Sequence, residues 1–262
     1  MIYLYNLIVY LSSILIFIGS FFSKKLNQLH NGRKKIKKYL KTIKITNEEK
    51  IWIHVSSVGE FEQAKSIIYQ FKKNLKLKIF VTFFSPSAEK VIKNFKLVDY
   101  SCYIPEDSKD KISYLYKKIN PKILLIIKYE FWYYLINEGK KMNVPVVSIS
   151  SIFRENQIYF NQFNFFSKIL KSITYFYVQN EESRSLLNSM GIKNVKVVGD
   201  TRFDRVYDIY KESKNYPKIE KFLKKNQTLI IGSSWKSDIK ILKEGILKND
   251  KLKFIIAPHN VN

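Results

Sequence analysis

The chain has 262 residues, room for one large domain or two smaller ones, and a hydrophobic content of 46 % that excludes global disorder. Its 46 basic and 22 acidic residues leave a formal charge of +24, which favours anionic partners such as nucleic acid, acidic lipid or a phosphorylated substrate. The single cysteine, Cys102, excludes an intrachain disulfide and a cysteine-based zinc site, and suits a reducing, cytoplasmic setting. The three histidines, His30, His54 and His259, lie far apart and have no metal-ligand spacing.

Only five of the basic residues are arginine: Arg33, Arg154, Arg184, Arg202 and Arg205. The rest are lysines in a chain crowded with Ile, Asn, Tyr and Phe, a palette typical of AT-rich coding. Charge of that origin is weak support for nucleic-acid binding, which would show as Arg-rich clusters interleaved with aromatics on one element.

Residues 1–22 carry no charge and are mostly Ile, Leu, Tyr, Phe and Val, a run long enough to be a membrane anchor. Nine basic residues follow between Lys24 and Lys44, which places that flank on the cytoplasmic side and draws it to anionic headgroups. A cleaved signal peptide would carry its charges before the apolar run, so a retained anchor is expected over 1–23, with a basic juxtamembrane segment over 24–49. Asn6, Ser12 and Ser13 weaken the run, so both a spanning and a one-leaflet helix are open.

From Lys50 onward short apolar runs alternate with amphipathic ones. Strands are predicted at 51–56, 78–83, 100–104, 122–127, 144–149, 175–178 and 195–198. Helices are predicted at 60–73, 87–95, after Pro105, at 131–142 and at 181–190, with Gly191 as a helix stop. The stretch 159–173 reads as an aromatic amphipathic helix. Near-continuous apolar strands between helices indicate a parallel sheet covered on both faces, an α/β domain over 50–198. Residues 199–226 read as a connector with helical character. A strand–helix–strand unit over 227–262 is too small to form a domain alone, so either its strands join the first sheet or, the preferred reading, it begins a second α/β domain.

Candidate chemistry sits where strands become helices. In Trp52-Ile53-His54-Val55-Ser56-Ser57-Val58-Gly59-Glu60 a strand runs into a small-residue turn, with Glu60 in the first helical turn. Ligands of open α/β sheets bind at such strand ends, Gly59 allows close approach to the backbone, and Glu60 is placed to accept a proton. The competing reading is a carboxylate that only complements the helix dipole. Glu130, in Lys128-Tyr129-Glu130-Phe131-Trp132, follows another strand and could share the same cleft or merely cap a helix. Arg154 follows a third strand and could hold a phosphate bidentately or stand at the surface. In Gly199-Asp200-Thr201-Arg202-Phe203-Asp204-Arg205, a cleft wall or hinge competes with a solvated linker. The Gly232-Ser233-Ser234-Trp235 turn offers backbone N–H groups to an anion, and Pro258-His259 ends the last strand.

Together these stretches resemble the Kdo transferases of lipopolysaccharide synthesis. The resemblance runs from the apolar N-terminus through WIHVSSVGE, FFSPSAEK, KYEFW, SSIFR, QNEES, GDTRFDR, GSSW and IIAPH, in that order. KYEFW and SSIFR are most similar to the Bacteroidetes branch. The resemblance implies a GT-B architecture of two Rossmann-like domains. The first would bind the acceptor, the lipid A precursor (lipid IVA), and the second the donor, CMP-Kdo. It implies metal-independent, inverting chemistry with no cofactor, and places the general base at Glu60. Ser57, Gly59, Glu130, Arg154, Arg202, Ser233 and His259 become candidate substrate-binding residues. The implied location is the inner membrane, with the catalytic part on its cytoplasmic side and no nucleic-acid partner. Chains of that family continue well past the APH position, so a C-terminally incomplete polypeptide, inactive by itself, is expected. Two rival readings remain: another membrane-associated GT-B glycosyltransferase, and an inactive remnant that binds membrane or acceptor only.

Overall fold

The structure, a computed structural model, describes residues 1–43, 48–160, 164–211, 215–223, 227–249 and 251–259. Two compact units divide the chain, residues 1–210 and 211–262.

The first unit is built on β1 (Lys50–Val55), β2 (Lys78–Phe83), β3 (Tyr100–Tyr103), β4 (Pro121–Ile127), β5 (Val146–Ser151), β6 (Tyr175–Val178) and β7 (Val195–Val197). They form one sheet in the order β3-β2-β1-β4-β5-β6-β7, every pairing parallel. The crossovers are α3 (Val58–Asn74), α4 (Pro86–Lys93), α5 (Lys109–Ile119), α6 (Tyr133–Lys141), α7 (Asn164–Lys171) and α8 (Glu181–Ser189). This is a Rossmann-like fold. The strand sequences explain it: β1 is buried along its whole length, which suits apolar runs covered by helices on both faces.

The strand order reverses direction between β1 and β4. The chain leaves β1 toward one edge and leaves β4 toward the other, so the loops after these two strands part and leave a crevice. Glu60, in the first turn of α3, and Glu130, on the loop after β4, follow those two strands.

Two helices precede the sheet. The first, α1 (Ile2–Gly19), is the one helix among the described residues long and apolar enough to cross a membrane. The second, α2 (Lys24–Thr42), turns the expected basic flank into a structural element. Leu29, Ile36 and Leu40, spaced one to two helical turns apart, enter the core, while the lysines face out. Gly32 permits this docking, because a Cβ there would meet the Tyr103 ring at 2.3 Å. Residues 44–47 of the expected basic segment lie outside the described residues.

Two expectations need correction. The aromatic helix predicted over 159–173 begins at Asn164, not Tyr159; residues 157–160 are turn, and 161–163 lie outside the described residues. Ile169, Leu170 and Ile173 from that stretch are buried in the core while Lys168 and Lys171 are exposed, the two faces expected of an amphipathic helix. The helix predicted from Phe131 begins at Tyr133, because Lys128 takes a left-handed φ of 66° and residues 128–132 form a loop.

Beyond the sheet, α9 (Thr201–Lys211) and α10 (Pro217–Leu223) occupy the expected connector, of which residues 212–214 and 224–226 lie outside the described residues. The second unit pairs β8 (Thr228–Ser234) with β9 (Lys253–Pro258) in parallel through α11 (Lys236–Leu247). Residues 250 and 260–262 lie outside the described residues.

Candidate functional site

The site starts at the end of β1. Ser57 caps α3, its hydroxyl oxygen accepting the Glu60 N–H at 3.5 Å. Glu60 sits in the first turn and folds back so that its Oε2 accepts the Ser56 backbone N–H. One carboxylate oxygen thus serves the loop that leads into the helix.

The Ser56 hydroxyl also donates to Glu130 Oε1 at 3.0 Å, and Glu130 Oε2 accepts Trp132 Nε1–H at 2.9 Å. One serine therefore joins the two carboxylates across the crevice. Burial raises the Glu60 pKa above the ordinary carboxylate value; the Ser56 N–H pulls it down, the Glu130 charge pushes it up further, and Lys128 pulls it down. The net direction is upward, which makes the ionised carboxylate a stronger proton acceptor than a free one. Gly59 lies beside open space, with only the Ser57 hydroxyl near where a Cβ would stand.

The Gly199–Arg205 stretch closes on the same helix. Gln63, one turn after Glu60, donates to Asp200 Oδ1 at 2.9 Å, and Arg205 Nε donates to Glu62 Oε2 at 3.0 Å. The linker reading fails at these positions, because both charges are tied to α3. Arg202 pairs with Asp200, its Nε 2.7 Å from Oδ2, and its side chain is exposed. Arg154 is exposed beyond β5, and its backbone N–H donates to Gln157. In the second unit the Ser233 hydroxyl meets His259 Nδ1 at 2.9 Å, and the His259 ring stacks on Trp235 at 4.1 Å. That ring pair lines a cavity of about 640 Å³ with Lys236 and Pro258. The described residues contain no cluster of three or more His, Cys, Asp or Glu able to hold a metal.

Sequence reasoning missed Ser56, Gln63 and Trp132. Gln63 was findable, lying on the Glu60 face of the helix at i+3. It missed His54 as well. That ring is fully buried under Trp132, 5.7 Å centroid to centroid, with Nδ1 2.9 Å from the Thr82 hydroxyl and Nε2 without a partner. Burial lowers its pKa from 6.5 to about 4. A histidine whose folded pKa is depressed is neutral in the native state. It weakens the fold as pH drops through 6.5, because the unfolded chain takes up the proton first. Between pH 7.5 and pH 5 this costs about 2 kcal/mol. Urea unfolding at both pH values should show the wild type losing about 2 kcal/mol more than His54→Gln between them; equal changes in both would refute the assignment.

A family model described as 3-deoxy-D-manno-octulosonic-acid transferase (kdotransferase) matches residues 30–205. The 3-deoxy-D-manno-octulosonic acid transferase of Aquifex aeolicus is 24 % identical over 218 residues, 80 % of this chain and 55 % of that protein. That of Rickettsia felis is 24 % identical over 208 residues, 78 % of this chain and 44 % of that protein. A bifunctional glycosyltransferase/methyltransferase of Fusobacterium nucleatum is 27 % identical over 230 residues, 83 % of this chain and 35 % of that protein. The chain thus spans between about a third and just over half of these relatives' lengths. Among solved structures, the UDP-GlcNAc 2-epimerase of Neisseria meningitidis superposes with a TM-score of 0.60 at 17 % identity, covering 81 % of this chain and 66 % of its own. The Methanocaldococcus jannaschii enzyme has a TM-score of 0.59 at 15 % identity, covering 79 % of this chain and 73 % of its own. Those likenesses establish the fold, the Rossmann-like architecture of GT-B proteins. With its family model matched across most of the sheet and both crevice loops, the chain belongs to the 3-deoxy-D-manno-octulosonic-acid (Kdo) transferase family.

Proposed function

We propose that this chain is the membrane-bound, acceptor-binding part of a glycosyltransferase that moves Kdo from CMP-Kdo to the lipid A precursor. The observation that carries the reading is the pair of carboxylates at the strand-order reversal, joined by Ser56, with the Glu60 pKa raised. In this reading Glu60 removes the proton from the 6′-hydroxyl of the acceptor. That oxygen forms the new bond to the Kdo anomeric carbon from the face opposite the phosphate, the bond to the CMP phosphate oxygen breaks, and configuration inverts. Ser57 and Gly59 line the approach, and Glu130 orients the acceptor through Ser56. In the same reading Arg154 and Arg202 bind acceptor or donor phosphate, Arg202 in exchange for Asp200. Ser233 and His259 belong to the donor side, where Trp235 offers a flat apolar face. Residues 1–23 hold the protein on the inner membrane, the lysines of α2 face anionic headgroups, and the site faces the cytoplasm.

The test is transfer of radiolabelled Kdo from CMP-Kdo to the lipid A precursor. It uses membranes that contain the chain, or the chain continued by the remainder of a second domain. Transfer by either supports the reading. Transfer from UDP-sugars with none from CMP-Kdo would replace it with a different GT-B activity. Acceptor binding without transfer in both would leave a remnant that only binds.

A further inference from the structure

The first helix carries two stripes at helical spacing. Ile2, Tyr5, Val9, Ser13, Ile16 and Gly19 are half-buried against the protein, while Leu4, Ile8, Leu11, Leu15 and Ile18 are exposed. The inward stripe makes contacts at both ends of the helix. Near the start, the Tyr5 hydroxyl donates to Asp107 at 2.5 Å, the Tyr134 hydroxyl donates to Asn6 at 2.9 Å, and the Tyr5 ring lies 5.7 Å from both Tyr133 and Phe165. Near the end, Phe17 packs on His30 at 5.2 Å, and Gly19 lets Leu26 come within 2.4 Å of where a Cβ would stand. Between them Val9, Ser12 and Ile16 roof a cavity of about 230 Å³ whose floor includes Phe84 and Trp132.

A helix that crosses a bilayer from Ser20 would carry Tyr5 roughly 22 Å away, to the far side of most of the hydrocarbon. Asp107 and Tyr134 belong to the sheet domain and cannot follow it there. Resting on the membrane reading above, we infer that α1 does not span the bilayer but lies in its plane along the protein, with the Leu4-to-Ile18 stripe sunk into one leaflet. The partner is the acyl boundary of an anionic membrane, argued from three observations. The outward stripe is wholly aliphatic, Phe21 and Phe22 at the helix end are exposed, and the neighbouring α2 turns Lys24, Lys25, Lys34, Lys35 and Lys38 to solvent.

Three single-cysteine variants test this, Leu4→Cys, Leu11→Cys and Ile18→Cys, each carrying an environment-sensitive fluorophore. All three positions are exposed, so folding is preserved, and the native Cys102 is buried and escapes the label. The full chain is added to phosphatidylethanolamine–phosphatidylglycerol vesicles with spin labels either near the headgroup or at the acyl chain end. The in-plane helix predicts equal quenching at all three positions, stronger from the headgroup-side label. A spanning helix predicts that the chain-end label quenches position 11 most, with positions 4 and 18 shallow, and that pattern overturns the inference while keeping the membrane. No quenching anywhere, with the chain left in solution, overturns the inference and the membrane reading together.

Discussion

Glu60→Gln should lower the rate of Kdo transfer by roughly 10²- to 10⁴-fold, the usual contribution of a positioned general base. The substitution isolates chemistry from folding. A glutamine carbonyl can still accept the Ser56 N–H, so the turn between β1 and α3 keeps its geometry, and the open side at Gly59 is untouched. What is lost is the capacity to take a proton. Initial rates of label incorporation, measured beside unfolding curves for both proteins, decide the matter; a variant that keeps more than about a tenth of the rate removes Glu60 as the base. The pH profile adds a second readout. Glu60 must be deprotonated to act, and burial followed by the Glu130 charge raises its pKa. The acidic limb of the rate profile should therefore lie above the ordinary carboxylate range. In Glu130→Gln, with the like charge gone, that limb should shift to lower pH. An unmoved limb would mean that the two carboxylates do not sense each other.

Asp107→Ala should destabilise the first unit by about 3 kcal/mol or more. Asp107 is buried where β3 passes into α5, and its carboxylate accepts the Tyr134 N–H at 2.8 Å and the Leu135 N–H at 2.9 Å, as well as the Tyr5 hydroxyl. It thereby caps the first turn of α6 from a distant part of the chain. Alanine leaves two buried donors without acceptors, each costing about 1–3 kcal/mol. Asparagine keeps one acceptor oxygen and should recover part of the loss. Urea unfolding measures both, and a loss under about 0.5 kcal/mol for the alanine variant would show that water replaces the carboxylate. Burial also raises the Asp107 pKa to about 6. A carboxyl whose folded pKa is raised holds its proton longer in the native state than in the unfolded one. Its contribution to stability therefore grows as pH falls through 6 toward the unfolded value near 4, opposite in sign to that of His54. Subtracting each variant's pH dependence from that of the wild type separates the two.

The sheet was legible because each strand is a short apolar run between polar helices, and parallel strands buried on both faces have no other way to be written. Glu60 and Glu130 were legible as strand-end carboxylates that could share one cleft, but the contact that joins them through Ser56 was not. It depends on the order reversal between β1 and β4, a property of topology that no local pattern carries. Asp107 was invisible for the same reason: its partners are Tyr5, Tyr134 and Leu135, distant in the chain. The basic stretch after Lys24 was read as charge alone, although Leu29, Ile36 and Leu40 hold a helical stripe inside it. Lysine density masked the period. The early start given to the helix at 159 came from counting aromatics, several of which pack in a turn: Tyr159 lies against Phe131 and Phe153.

The clasp between α1 and the domain joins residues 102 and 128 positions apart in the chain. Residues 1–22 leave the ribosome first, yet their protein partners, Asp107 and Tyr134, are made much later. Until those partners exist, the helix has no seat on the domain. Its seat on the domain depends on contacts of high sequence separation, the kind whose loop-closure cost makes them slow to form. On the membrane reading proposed above, lipid would hold this helix before the domain does, and a chain made without membrane would leave the helix's apolar face exposed for the whole of that interval.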